Sequence, residues 1–209
     1  MHQKTELPHG IYGITSRDFG TSHEQSAVYL LKAGIRIIQY REKDAPTRTM
    51  YNEAMNIKQL CRQYHALFIV NDRIDIALAS DADGVHVGQD DMPAGIAKKY
   101  LRNKIIGVSV RNEDEVIAAQ KIGADYLGAG AVYPTSTKQD SMYIGLGALA
   151  GIVRVAKIPV YAIGGITKQN LDELKTYNIH GAAVISAILN TPDPEKTARE
   201  FISIWGSGL

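Results

Sequence analysis

The sequence predicts a single-domain (β/α)8 barrel of the TIM type, within the α/β class, on three observations. Eight short apolar, β-branched runs alternate with longer amphipathic segments. The runs are nearly continuous in apolar residues, as strands of a parallel sheet covered on its outer face must be. The turn after the first run, Thr15-Ser16-Arg17-Asp18, lacks the glycine-rich fingerprint that an open doubly wound sheet would usually carry there. The 209 residues suffice for one domain, 1–209, with a buried core, and no linker, low-complexity tract or charge run divides them.

The strands are expected at residues 11–15, 35–40, 67–70, 84–87, 105–108, 126–130, 159–163 and 182–185. Between the second and third, residues 47–64 place Met50, Ala54, Ile57, Leu60 and Cys61 at helical spacing. Asn112 followed by Glu113, Asp114 and Glu115 reads as a capped helix start with acids in its first turn. Residues 194–205 close the series as an eighth helix.

Apolar content of 45% and charged content of 22% are those of an ordinary soluble globular protein. A formal net charge of +1 gives no long-range attraction for a polyanion, so nucleic acid is not an expected partner and anions must be met by local sites. Cys61 is the only cysteine, which excludes an intramolecular disulfide and suits a reducing compartment; on a helical stretch it reads as a half-buried structural thiol. The first residues lack the apolar segment of a signal peptide, and no run approaches the ~18 apolar residues of a spanning helix. A cytoplasmic location without membrane contact is expected. The oligomeric state stays open, a homo-oligomer included.

In such barrels the chemistry sits on the loops after the strands. The second strand ends in Gln39-Tyr40-Arg41-Glu42-Lys43, and alternation sends Gln39, Arg41 and Lys43 to one side and Tyr40 and Glu42 to the other. Two cations and an amide at the mouth could clamp an anion, or form a solvated strand end with a surface ion pair. The third strand ends in Asn71-Asp72-Arg73, and the fourth in Gly88-Gln89-Asp90-Asp91 before Pro93. Each set of acids could cap the next helix. Equally, Asp72 and Asp91 on neighbouring rims could share a hard cation such as Mg²⁺ with substrate phosphates.

His86, in the middle of its strand, reads as a packed, hydrogen-bonded interior histidine. Ser109 could donate to a ligand or simply start a loop. After the sixth strand, Tyr133-Pro134-Thr135-Ser136-Thr137-Lys138 supplies hydroxyls and a cation on a loop able to close over phosphate. Gly164-Gly165 after the seventh strand allows close backbone approach, and Ser186 after the eighth adds a hydroxyl. Together they suggest a second anion site across the mouth from Arg41 and Lys43.

The combination resembles the thiamine-phosphate synthase family. The resemblance is carried by QYREK at 39–43, VNDR at 70–73, HVGQDD at 86–91, YPTSTK at 133–138, AIGGI at 162–166 and VISAI at 184–188, in family order across most of the chain. Residues 143–146, Tyr-Ile-Gly-Leu, depart from the family wording. The resemblance implies a Mg²⁺-dependent enzyme that joins hydroxymethylpyrimidine diphosphate to hydroxyethylthiazole phosphate with loss of pyrophosphate. It implies that the motif Gln39, Tyr40, Arg41, Glu42 and Lys43, with Asn71, holds the pyrimidine diphosphate. Asp72 and Asp91 would hold the metal, and Ser109 and Lys138 would also address the diphosphate. Thr135, Thr137, Gly165, Ile185 and Ser186 would meet the thiazole phosphate. Arg41, Lys43, Ser109 and Lys138 are then the expected catalytic groups. A thiazole tautomerase-like barrel and a non-catalytic protein that binds phosphorylated ligands are the competing readings.

Overall fold

A computed structural model of the chain describes residues 6–135 and 142–206. Eight strands form a closed, all-parallel barrel in chain order, with β8 returning to pair with β1. The strands are β1 (Gly10–Ile14), β2 (Ile37–Tyr40), β3 (Leu67–Asn71), β4 (Gly84–Val87), β5 (Ile105–Val110), β6 (Tyr126–Gly130), β7 (Val160–Ile163) and β8 (Gly181–Val184). The helices are α1 (His23–Ala33), α2 (Thr47–Gln63), α3 (Ile74–Ala79), α4 (Ala94–Tyr100), α5 (Glu113–Ile122), α6 (Gly145–Val155), α7 (Leu171–Lys175), α8 (Ser186–Leu189) and α9 (Pro194–Gly206). Among the described residues no helix is long and apolar enough to cross a membrane.

The predicted strands are all present, with no end shifted by more than two residues. The tail expected as an eighth helix is the ninth among the described residues, because α8 forms a single turn directly after β8. That turn buries Ile188 and Leu189 and closes through Leu189 N–H donating to the Ile185 carbonyl at 2.9 Å. Helix starts follow local chemistry: the Ser22 and Asn112 side chains accept from the backbone of Gln25 (3.1 Å) and Glu115 (2.9 Å). Gly34 and Gly123 end α1 and α5 at φ 112° and 84°, a conformation in which a side chain is strained.

Neither Asp72 on the third rim nor Asp90 or Asp91 on the fourth stands at the N-cap position of a helix. The residue preceding α3 is Arg73 and the one preceding α4 is Pro93, and neither start has a side-chain cap bond.

Alternation along each strand divides the apolar residues into two layers. Outward residues such as Ile38, Tyr40, Phe68, Val70, Ile106 and Leu127 pack beneath the helices. Inward residues Tyr12, Ile14, Ile37, Ile69, Ile105, Tyr126, Tyr161 and Ala183 fill the barrel with Leu7. The rings of Tyr12, Tyr126 and Tyr161 meet edge to face with centroids 5.3–5.9 Å apart, a favoured aromatic geometry. Neighbouring strands leave room for them. A Cβ on Gly107 would stand 2.1 Å from Tyr126 Cζ, and one on Gly181 would stand 2.8 Å from the Tyr161 ring. Beneath the rings, Tyr161 O–H donates to the Pro8 carbonyl at 2.5 Å, and His180 Nε2 lies 3.0 Å from the Leu7 carbonyl. The aromatic floor and residues 7–9 therefore close the barrel from below.

Cys61 sits with Met50, Ala54 and Ile57 on the buried face of α2. Burial, with the Asp83 charge adding to it, pushes its thiol up to about 12. We expect it to resist a thiol-reactive dye in the native protein and to react with one equivalent after denaturation. Rapid labelling under native conditions would show that α2 is not packed as described.

Candidate active site

A cavity of about 340 Å³ opens above the tyrosine floor, at the carboxyl ends of the strands. Gln39, still inside β2, and Arg41 and Lys43, just beyond it, line one side. The intervening residues turn outward, as the alternation dictates. Tyr40 is buried among the helices and its hydroxyl donates to Glu53 at 2.6 Å. Glu42 points to α1, where its carboxylate meets Arg17 Nε at 2.8 Å and His23 Nε2 at 3.2 Å. Of the contiguous five-residue clamp implied by the resemblance, the structure brings Gln39, Arg41 and Lys43 to the cavity and directs Tyr40 and Glu42 away from it. The split has a simple cause: consecutive residues of an extended strand cannot share a face.

The outward pair belongs to an anchor beneath the loop after β2. Glu42 also accepts from the backbone of Asp44 (2.8 Å) and Ala45 (3.3 Å), which pins the loop that carries Lys43. Arg17 bridges Glu42 and Glu53. Burial, the largest single influence on Glu42, pushes its carboxyl up; the Asp44 N–H, His23 and Arg17 outweigh it and hold the group below the usual range. His23, 1% exposed, is pushed down chiefly by burial. Because a carboxylate only accepts, His23 Nε2 carries the proton, and Nδ1 then accepts from the Thr15 hydroxyl at 2.8 Å.

His23, Glu42 and Glu53 have ligand atoms within 4.8 Å of one another, a spacing that could hold a metal. Arg17 already neutralises the two carboxylates, and both histidine nitrogens are engaged within the protein. Mg²⁺, which prefers oxygen ligands, would have to displace that guanidinium. This cluster acts as a structural anchor.

Asp72 and Asp91 both line the cavity, from the ends of adjacent strands β3 and β4. Asp72 adopts φ 59°, a left-handed conformation that Asp tolerates better than most residues, and its N–H donates to the His86 carbonyl at 2.8 Å. One Asp91 oxygen accepts from the Gly88 N–H at 2.7 Å. Two carboxylates on neighbouring rims, with cationic side chains after the adjoining strand β2 in the same cavity, suit a hard cation that completes its shell with water and phosphate oxygens. The donor set fits Mg²⁺. Asn71, buried at the end of β3, and Ser109 on β5 line the same space.

The opposite wall is made by Gly164, Gly165, Ile185 and Ser186. Gly164 and Gly165 have φ of 98° and 65°. A Cβ on Gly165 would stand 2.5 Å from the Pro134 carbonyl oxygen, so only glycine lets the loop after β7 lie against the loop after β6. Thr135 reaches the cavity from that second loop. Its two ends are drawn together by Ala131 N–H to the Met142 carbonyl (3.1 Å) and Ile144 N–H to the Ala131 carbonyl (2.9 Å). Thr137 and Lys138 lie outside the described residues.

Sequence reasoning gave no ligand role to Tyr12, Tyr126, Tyr161, Gln89, Asp90 or Arg111, all of which line the cavity. The tyrosines left one readable trace: inward strand positions held by large rings beside inward positions held by glycine.

Fold and cavity define a (β/α)8-barrel protein whose carboxyl rim joins paired carboxylates to a cationic side and a glycine-rich side. Residues 11–188 match the family model described as thiamine monophosphate synthase. The thiamine-phosphate synthase of Caldivirga maquilingensis is 48% identical over 200 residues, covering 95% of this chain and 98% of that protein. That of Archaeoglobus fulgidus is 49% identical over 203 residues, with coverage of 95% and 96%. The solved thiamine phosphate pyrophosphorylase of Pyrococcus furiosus superposes with a TM-score of 0.88 at 47% identity, covering 93% of this chain and 94% of that one. The chain belongs to the thiamine monophosphate synthase family.

Proposed function

We propose that this chain is a cytoplasmic thiamine-phosphate synthase, which joins hydroxymethylpyrimidine diphosphate to hydroxyethylthiazole phosphate and releases pyrophosphate. The observation that carries the reading is one cavity lined by Asp72, Asp91, Arg41 and Lys43 on one side and by Gly165 and Ser186 on the other. It offers a cation-assisted place for a diphosphate and a separate backbone-lined place for a monophosphate. Family membership supplies the names of the two substrates.

Pyrophosphate departs first, leaving a carbocation stabilised by the aminopyrimidine, and the thiazole nitrogen attacks that carbon. No strong base is required. Arg41 and Lys43, with Lys138 from the loop after β6, stabilise charge gathering on the leaving group. Mg²⁺ held by Asp72 and Asp91 would supply further neutralisation when bound. Gln39, Asn71 and Ser109 orient the pyrimidine diphosphate, while Thr135, Thr137, Gly165, Ile185 and Ser186 hold the thiazole phosphate so that the reacting atoms meet.

A thiazole tautomerase-like barrel has no use for paired carboxylates beside a cationic clamp, which favours the synthase. A binding protein would hold both ligands without turnover. The deciding assay supplies both substrates with and without Mg²⁺ and follows pyrophosphate and thiamine phosphate together. Equal, metal-dependent formation of the two is expected; pyrophosphate without coupled product, or tight binding without turnover, would reject the synthase. Lys138→Ala is expected to lower kcat about a hundredfold, the usual effect of losing one preorganised donor, with little change in the thiazole-phosphate KM. Unchanged kcat would remove Lys138 from the transition state.

A further inference from the structure

A hydrogen-bonded chain crosses the barrel floor and joins two groups on opposite sides of the cavity. Gln39 Nε2 donates to the Tyr12 hydroxyl at 3.0 Å, and that hydroxyl lies 2.9 Å from the Tyr126 hydroxyl. Tyr126 Oη is 3.0 Å from His86 Nδ1, and His86 Nε2 is 2.9 Å from Ser109 Oγ. Gln39, Tyr12, Tyr126 and His86 are all buried. The rings are fixed in place: a Cβ on Gly107 would stand 2.1 Å from Tyr126 Cζ, and one on Gly128 would stand 2.9 Å from His86 Cε1.

Each hydroxyl has one proton, and a neutral imidazole donates from one nitrogen only. The direction of the first bond therefore sets the direction of the rest. With Gln39 Nε2 facing Tyr12, the Tyr12 hydroxyl already receives a proton and must give its own to Tyr126. Tyr126 then donates to His86 Nδ1, and His86 Nε2–H donates to Ser109 Oγ. Were Tyr126 to donate to Tyr12 instead, the buried Tyr12 proton would face no acceptor among the described residues, the costly case for a polar group. Turning the Gln39 amide would reverse every bond together. Mixed arrangements leave a clash or a gap.

We propose that Gln39–Tyr12–Tyr126–His86–Ser109 is one directional chain that sets, jointly, what the cavity offers its ligand: the Gln39 carbonyl as acceptor and the Ser109 hydroxyl as donor. Tyr12, Tyr126 and His86 are positioning residues, acting through Gln39 and Ser109. The polarity suits a ligand with an amino group beside Gln39 and an acceptor, a ring nitrogen or phosphoryl oxygen, beside Ser109. It disfavours a ring bearing a carbonyl where the amino group stands. The assignment of that ligand to the pyrimidine substrate rests on the synthase reading; the direction of the chain does not.

The test reads the His86 tautomer by long-range ¹H–¹⁵N correlation in the ligand-free protein near neutral pH, assigned by the signals lost in His86→Gln. A neutral ring protonated on Nε2 is expected. A ring protonated on Nδ1, or a charged ring, overturns the proposal. In Tyr126→Phe the Nδ1 partner is lost, so the ring is expected to exchange between tautomers. The KM for the pyrimidine diphosphate is expected to rise about tenfold, as loss of one buried hydrogen bond allows, with the thiazole-phosphate KM unchanged. An unaltered tautomer together with unaltered kinetics would also overturn it. Should Tyr126→Phe fail to fold, the wild-type tautomer still decides. An Nε2–H ring in a protein that turns over neither substrate supports the chain and rejects the synthase; turnover with an Nδ1–H ring does the reverse.

Discussion

Asp91→Asn is expected to slow metal-dependent pyrophosphate release about a hundredfold or more at ordinary Mg²⁺, with part of the loss recovered at high Mg²⁺. The amide keeps the size of the side chain and an oxygen able to accept the Gly88 N–H, now 2.7 Å from the carboxylate. What disappears is negative charge, on which affinity for a hard cation depends. Asp72→Asn should behave alike, and Asn also tolerates the φ of 59° at that position. Asp72→Ala removes the charge and strains the backbone as well, so it is expected to lose roughly 1 kcal/mol more stability than the Asn variant. Mg²⁺ titrations of initial rate, beside denaturant midpoints for the three variants, separate the two effects. Wild-type rates in either Asn variant would remove the carboxylates from the metal site.

The second large effect lies outside the cavity. Glu42→Ala takes one carboxylate from Arg17, His23 and two backbone N–H groups at once. The Glu42 side chain is only 7% exposed, so solvent cannot replace those partners well. A loss of about 3 kcal/mol is expected, at the low end for breaking a buried charge pair because Arg17 itself is half open to water. Activity should fall further than stability explains, since the loop that presents Lys43 loses its anchor; the KM for the diphosphate substrate reports this. The pH dependence has a definite sign. Both Glu42 and His23 have folded pKa values below their unfolded ones. Each therefore contributes stability that is complete above its unfolded value and lost as the pH falls through its folded one. His23 weakens the protein from about pH 6.5 downward and Glu42 from about pH 4.5 downward. A variant as stable as the wild type at pH 7, or one without a reduced slope below about pH 4.5, would contradict the anchor.

The barrel was legible because its strands obey two local rules, a nearly continuous apolar run and a period of two. The second rule also sorted Gln39, Arg41 and Lys43 from Tyr40 and Glu42, whereas family resemblance alone took the five residues as one clamp. Asp72 and Asp91 were ambiguous in sequence because an acid after a strand can equally cap a helix. Only the caps at Arg73 and Pro93 resolved them. The pairing within the aromatic floor was not legible: Tyr12 and Tyr126 meet across the barrel, 114 residues apart, and no local pattern encodes that contact. α8 escaped notice for a different reason, since a four-residue turn is too short to display a helical period.

The closed floor turns the cavity into a blind chamber. With three tyrosine rings and residues 7–9 stoppering the barrel below, ligands approach and leave by way of the strand-end rim. On the synthase reading, a ligand seated against Gln39 and Ser109 on that floor is expected to enter before its partner, and initial-rate patterns showing random addition of the two substrates would contradict this.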